Sequence, residues 1–183
     1  MVVGRAEYKL ENALKAFRVD LRGKTVLDIG SSTGGFTECA LRAGAAKVIA
    51  VEKGTNQMKA PLRFDERVEL HEKTDIFEFS CDAPDAIVAD VSFVSLRKVL
   101  AYVRENLADL HTELVVMLKP QFEAAPWQLK NGVLKNSKMR REVIADFEAW
   151  LKKSGFVMVG KRDNELAGRF GNVERFYYLK IAK

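Results

Sequence analysis

The chain has 183 residues, of which 48% are hydrophobic and 30% charged, an ordinary balance for one globular domain with a full core. No apolar run approaches the roughly 18 residues that cross a bilayer, MVVGRAEYKL is too short and too charged for a secretory signal, and the isolated Cys39 and Cys81 suggest neither disulfides nor zinc. The net charge of +5 favours acidic partners such as nucleic acid without selecting one, so the expectation is a cytoplasmic protein with reduced thiols, no metal and no membrane partner.

In chain order, YKLENALKAF (8–17) reads as an amphipathic helix with Leu10, Leu14 and Phe17 on its apolar side. KTVLDIG (24–30) is apolar, β-branched and closed by glycine, the pattern of a buried strand. GGFTECALRAG (34–44) follows as a helix ended by Gly44. AKVIAVE (46–52), RVELHE (67–72) and DAIVAD (85–90) are the next three strands. SLRKVLAYVRENL (95–107) places Leu96, Val99, Leu100, Val103 and Leu107 on one helical face, and TELVVMLKP (112–120) is a fifth strand stopped by Pro120. KMRREVIADFEAWLKK (138–153) is an amphipathic helix that covers a sheet face. FVMVGKR (156–162) and ERFYYLKIAK (174–183) close the chain as two edge strands joined by a glycine-containing loop, antiparallel to each other. Alternating strands and helices without repeats or linkers predict one α/β domain over residues 1–183, with a helix at 5–18 packed on it.

Ligands of open α/β sheets sit beyond the carboxyl ends of the strands. The first turn there reads Asp28-Ile-Gly-Ser-Ser-Thr-Gly-Gly, and its glycines let backbone approach a ligand at a helix N-terminus. A dinucleotide fingerprint needs glycine where Ser32 stands, and Asp28 would repel a pyrophosphate. A cationic, phosphate-free ligand such as S-adenosylmethionine tolerates that carboxylate. Glu52 ends the second strand, where its two oxygens can accept ribose hydroxyls. Asp75 follows the third strand and is placed to receive an adenine amino group. Dinucleotide binding, or a plain tight turn with solvated acids, remain the alternatives at this point.

Four charged residues then stand out: Lys9 in the N-terminal helix, Asp90 after the fourth strand, Lys119 after the fifth, and Glu174 opening the last. A hydroxyl that attacks a sulfonium methyl must lose its proton, and a lysine with a lowered pKa can accept or relay it. Partial burial or a second ammonium lowers a lysine pKa, while carboxylates orient the side chain.

The segments GRAEYKL, VLDIGSSTGGFT, KGTNQ, ADVSFVSL, LKPQFE and GRFGNVERF resemble, in the same order and over nearly the whole chain, the TlyA-like group of FtsJ-type RNA 2′-O-methyltransferases. The resemblance implies a Rossmann-like class I methyltransferase fold. Its seven-stranded sheet has six parallel strands, an antiparallel last strand, and helices on both faces. It implies S-adenosylmethionine as cofactor, a ribose 2′-hydroxyl in RNA (ribosomal RNA or ribosomal subunits) as acceptor, and a Lys-Asp-Lys-Glu tetrad at Lys9, Asp90, Lys119 and Glu174. Within the tetrad, Lys119 would activate the hydroxyl. Lys9 and Glu174 would position the ribose and tune that lysine, and Asp90 would orient it. The cofactor residues expected are Asp28, Gly30, Ser32, Thr33, Gly34, Gly35, Phe36, Thr37, Glu52, Lys53, Gly54, Gln57, Asp75 and Asp90.

Two features depart from the family pattern. Val51-Glu52-Lys53-Gly54 carries Glu where members usually have Asp. Members also usually begin with a small RNA-binding domain, whereas this sequence starts at the methyltransferase part, either shortened or finding RNA without that domain. The family has also carried a haemolysin label, but no segment is apolar or amphipathic enough to insert into a membrane.

Other residues have plainer readings. Ser92 and Ser95 read as caps or turn formers, His71 and His111 as structural or solvated, and Phe93 as either substrate-facing or filling the sheet rim. Residues 120–141 form the most loop-like stretch. They are expected to be a mobile, RNA-facing segment whose cations Lys130, Lys135, Lys138, Arg140 and Arg141 meet phosphates. A catalytically silent ribosome-binding factor and a methyltransferase for a non-RNA substrate are the competing functions.

Overall fold

The computed structural model describes residues 5–164 and 171–182. Gly4 of GRAEYKL, Gly168 to Phe170 of GRFGNVERF and the two ends of the expected 1–183 domain lie outside them. Among the described residues there are four α-helices: α1 (Arg5–Phe17), α2 (Gly35–Arg42), α3 (Leu96–Asn106) and α4 (Ser137–Lys153). The strands are β1 (Thr25–Ile29), β2 (Lys47–Val51), β3 (Val68–His71), β4 (Ala86–Ala89), β5 (Glu113–Leu118), β6 (Phe156–Asp163) and β7 (Arg175–Ile181). They form one sheet in the order β3-β2-β1-β4-β5-β7-β6.

β1 to β5 pair in parallel, and β7 is antiparallel to both β5 and β6. Six strands therefore share one direction and β7 runs against them, as the resemblance implied. The central strands are buried on both faces, so they read as continuous apolar runs. Alternate residues supply separate cores. Val26, Val48, Val88, Val115, Met117 and Phe176 pack with Leu10 and Leu14 of α1 and with Phe36 and Ala40 of α2. Leu27, Ile49, Ile87, Val116, Tyr177 and Leu179 pack with Val99 and Leu100 of α3 and with Ile144, Phe147 and Leu151 of α4. Each fully buried Val, Leu, Ile, Phe or Met side chain among these contributes about 1.5–3 kcal/mol. Asp28 is the exception within β1, a carboxylate in a fully buried strand position.

The chain leaves β1 toward β2 and β3, then returns to place β4 on the other side of β1. The reversal opens a crevice beyond the carboxyl ends of β1 and β4. The links β2–β3 and β3–β4 contain only short 3-10 turns, at Leu62–Phe64 and Ile76–Glu78.

Residues 120–141, expected as the most loop-like stretch, contain turns, a bridge and the start of α4. Turns at Pro120–Phe122 and Pro126–Gln128 precede a bridge between Lys130 and Val133. Asn131 and Gly132 close that bridge with φ of 52° and 74°, the left-handed pair that an Asn-Gly turn supplies at little strain. Asn172 anchors it: Leu134 N donates to Asn172 Oδ1 at 3.1 Å, and Asn172 Nδ2 donates to Gly132 O at 3.3 Å. α4 then starts on Asn136, whose Oδ1 accepts from the amides of Lys138 and Met139. No helix among the described residues is long and apolar enough to cross a membrane.

Candidate active site

A cleft of about 780 Å³ opens at the crevice between β1 and β4, lined by the loops that follow β1, β2, β3 and β4. Gly30 turns the chain with φ +80°, and a Cβ there would lie 2.9 Å from the Asp90 carbonyl oxygen. Only glycine permits both that φ and that approach. Gly34, with φ +96°, occupies the N-cap position of α2.

Asp28 lies beneath this turn. Its Oδ2 accepts from Thr37 Oγ1 at 2.6 Å, while its Oδ1 and the nearby Ser31 Oγ, both buried, have no hydrogen-bond partner among the described residues. Burial pushes the Asp28 carboxyl up to about 7; the Thr37 bond opposes this, and the charges of Asp90 and Glu52 add to it. A buried acceptor without a donor costs about 1–3 kcal/mol, so a donor-bearing cation brought to this floor would be welcomed. The residues thus fit a ligand with an ammonium group.

Glu52 ties two loops together. Ser32 N donates to its Oε2 at 2.9 Å and Gly54 N to its Oε1 at 2.6 Å. Each carboxylate oxygen keeps a further lone pair for a ligand hydroxyl. Asp75 caps the following turn by accepting from Phe77 N at 3.2 Å and pairs with Lys53 at 2.8 Å. With Ile76, Phe77, Val51 and Val91 it forms an apolar slot with an acid at its edge. Gln57 also lines the cleft. The loop that carries it is held by Glu72, which accepts from the amides of Asn56, Gln57 and Met58. The Arg63 guanidinium keeps that carboxyl low, near 2, with the amides helping.

Several expected cofactor residues have other places. Gly35 lies against α1, where a Cβ would be 2.8 Å from Ala6 Cβ. Phe36 stacks on Phe176 in the core, and Thr37 is fully buried against Asp28. These three shape the turn from behind, because a helix N-terminus shows a ligand only its first backbone groups. Thr33 is exposed but does not line the cleft, and the Gly34 Cα faces Leu62 and Met58. Ile29, Val51, Thr74, Ile76, Phe77, Val91 and Val94 line the cleft without having been singled out. The signal for them was only their position just past strand ends.

The tetrad assembles as two ion pairs. Lys9 Nζ lies 2.5 Å from Glu174 Oε2, both residues buried, although 165 positions separate them. Lys119 Nζ lies 2.6 Å from Asp90 Oδ1 and donates to Ser92 Oγ at 2.7 Å. Asp90 also feels the charges of Glu174 and Lys9, so the two pairs adjoin. Burial pushes the Asp90 carboxyl up, with Lys119 opposing. Topology explains the convergence. Asp90 and Lys119 follow parallel strands, while Glu174 precedes the antiparallel β7, so all three reach the same rim.

ADVSFVSL and LKPQFE prove to be two halves of one clamp. Lys119 meets Asp90 and Ser92, Phe122 packs against Phe93 with tilted rings and centroids 5.2 Å apart, and Glu123 reaches the start of α3. The Glu123 carboxylate accepts from Ser95 Oγ at 2.8 Å and Leu96 N at 2.6 Å, with Arg97 Nε at 3.3 Å. Ser95 therefore holds the N-cap position, but Glu123 performs the capping. Phe93 itself is 93% exposed with φ +63°. His71 is held against Glu69 at 2.6 Å and Phe79.

Among the cations of 130–141, Lys130, Lys135, Lys138 and Arg141 are exposed. Arg140 differs from expectation. It pairs with Asp163 at 2.8 Å and donates to the Val173 carbonyl, tying α4 to the β6–β7 pair. No group of three or more metal-ligating side chains occurs among the described residues.

The FtsJ-like methyltransferase model matches residues 2–181. A 23S rRNA (cytidine-2′-O)-methyltransferase TlyA from Campylobacter jejuni is 40% identical over 179 residues, 96% of this chain and 70% of the relative. Hemolysin A of Brachyspira hyodysenteriae is 37% identical over 185 residues, covering 98% and 77% respectively. A candidate hemolysin from Streptococcus thermophilus superposes with a TM-score of 0.93 at 34% identity, over 99% of this chain and 67% of that one.

Proposed function

The chain belongs to the FtsJ-like methyltransferase family, and from that premise we propose that it transfers a methyl group from S-adenosylmethionine to a ribose 2′-hydroxyl of RNA, with ribosomal RNA as the acceptor. The observation that carries this reading is the meeting of the Lys9–Glu174 and Lys119–Asp90 pairs beside the glycine-turn cleft. The name borne by the Campylobacter relative supports ribosomal RNA as the substrate.

Asp28 and the turn at Gly30 would hold the amino-acid end of the cofactor. Glu52 would hold its ribose, and the Asp75–Phe77–Val91 slot its base. When bound, S-adenosylmethionine supplies an electrophilic methyl group. The chain's own residues then have to place and deprotonate the acceptor. Lys119 Nζ takes the hydroxyl proton, and Asp90, in contact with that nitrogen, balances the charge. Lys9 and Glu174 fix the rim against which the ribose rests. Phe93 offers a solvent-facing aromatic surface beside it, and Lys130, Lys135, Lys138 and Arg141 meet backbone phosphates.

The test is incubation with labelled cofactor and ribosomal subunits, with mass-spectrometric mapping of the product. A 2′-O-methyl mark that disappears in Lys119→Ala, while cofactor affinity stays within about twofold, is expected; a general base contributes roughly 10²–10⁴-fold in rate. A mark on a base, turnover without RNA, or retained activity in Lys119→Ala overturns the proposal. A protein that binds subunits and cofactor without turnover is an assembly factor.

A further inference from the structure

Trp127 is 74% exposed on the Pro126–Gln128 turn, whereas Phe36, Phe147, Phe176 and Tyr177 are buried in the core. The turn that presents it is held by local hydrogen bonds. Pro126 fixes its first φ, Gln128 N donates to Ala125 O at 2.9 Å, and Ala125 N donates to Gln128 Oε1 at 2.8 Å. Both ends are anchored next to the tetrad, since Pro120 follows Lys119 and Asn172, which grips Gly132 and Leu134, stands two residues before Glu174.

The segment that carries it has one sign of charge. From Ala124 to Arg141 the sequence has five cations and no Asp or Glu. Only Arg140 among the five is paired with an acid among the described residues. A pre-set indole amid cations lacking acids suits a polyanion with exposed π faces, which is an unpaired nucleotide strand.

We propose that Trp127 is a stacking platform for an unpaired base flanking the acceptor nucleotide, with Lys130 and Lys135 holding the adjoining phosphates. This rests on RNA being the substrate and adds a determinant of which RNA is accepted. The indole makes no contact with the cofactor cleft, so it acts on substrate capture.

The probe is a mixed-sequence single-stranded RNA 15-mer, titrated against the Trp150→Phe protein, in which Trp127 is the remaining tryptophan. Stacking quenches its emission. Trp127→Ala weakens RNA binding roughly 5- to 100-fold, as loss of one base–aromatic stack does, and Trp127→Phe restores most of it. With ribosomal subunits, Trp127→Ala raises KM and leaves kcat within twofold. Its unfolding midpoint stays at the wild-type value, because the side chain is exposed.

Unquenched emission at saturating RNA, or equal affinity in Trp127→Ala, overturns the platform while leaving RNA methylation standing. An equal loss of binding with an abasic 15-mer as with the base-bearing strand also overturns it. Failure of the wild-type protein to bind or methylate any RNA overturns the underlying function. Trp127-dependent capture of a protein in place of RNA assigns the surface to a protein partner and refutes the proposal.

Discussion

Removing the Glu123 carboxylate should loosen the start of α3 and, through it, the Asp90 loop. The side chain is 3% exposed and serves Ser95 Oγ, Leu96 N and Arg97 at once. Loss of a helix cap costs about 0.5–2 kcal/mol, and a charge-assisted bond of this kind contributes about 1.5–3 kcal/mol. The burial of the carboxylate works against this. Desolvation raises the Glu123 carboxyl despite Ser95, Leu96 and Arg97, so the ionised form is imperfectly compensated. Arg97 also keeps Asp146 at 2.7 Å.

Glu123→Ala should therefore cost about 2 kcal/mol, less than the bonds summed. Glu123→Gln, which keeps an acceptor for Leu96 N and removes the buried charge, should cost under about 1 kcal/mol. Urea unfolding checks both. With a slope near 2 kcal/mol/M, the alanine variant's midpoint falls by about 1 M with the slope unchanged. A shift below about a quarter of that in Glu123→Ala refutes the clamp. A glutamine variant as unstable as the alanine variant refutes the reasoning about charge.

Asp28 binds its proton more tightly in the folded chain, with its carboxyl near 7, than in the unfolded chain, near 3.9. Its contribution to stability is thus fully present below about pH 4 and is lost as pH rises through about 7. Asp28→Asn should remove that slope, which urea midpoints at pH 5 and pH 8 would reveal, and it should weaken cofactor binding in calorimetry. Gly30→Ala combines a disfavoured φ of +80° with a Cβ 2.9 Å from a backbone oxygen. It should cost at least about 1 kcal/mol and displace Asp90, so that thermal melts show a lower midpoint and little response to cofactor. Charge reversal at Lys135 and Lys138 together should weaken RNA binding and flatten its salt dependence, each lost phosphate contact removing about 0.7 from the slope for a single strand. Unchanged affinity across a salt series would detach these lysines from RNA.

Apolar runs, helical periodicity and glycine or proline stops placed the strands and helices, because each is set by neighbours in the chain. The same is true of the glycine turn. Gly30 is required by the local backbone, Glu52 and Asp75 reach one rim because each follows a parallel strand, and Asp28 lies beneath that rim within β1. Periodicity carries no record of which loop meets which. Lys9 finds Glu174 only because α1 packs beside the start of a reversed β7, and Glu123 caps α3 only because β4 and β5 are neighbours. Gly35 and Phe36 follow the turn but serve the α1 and β7 packing, and Arg140 leaves the cationic face for Asp163. Contacts between distant segments arise from strand order and crossover direction. The order β3-β2-β1-β4-β5-β7-β6 was therefore what turned four scattered charges into two adjoining ion pairs, and two separate motifs into one clamp.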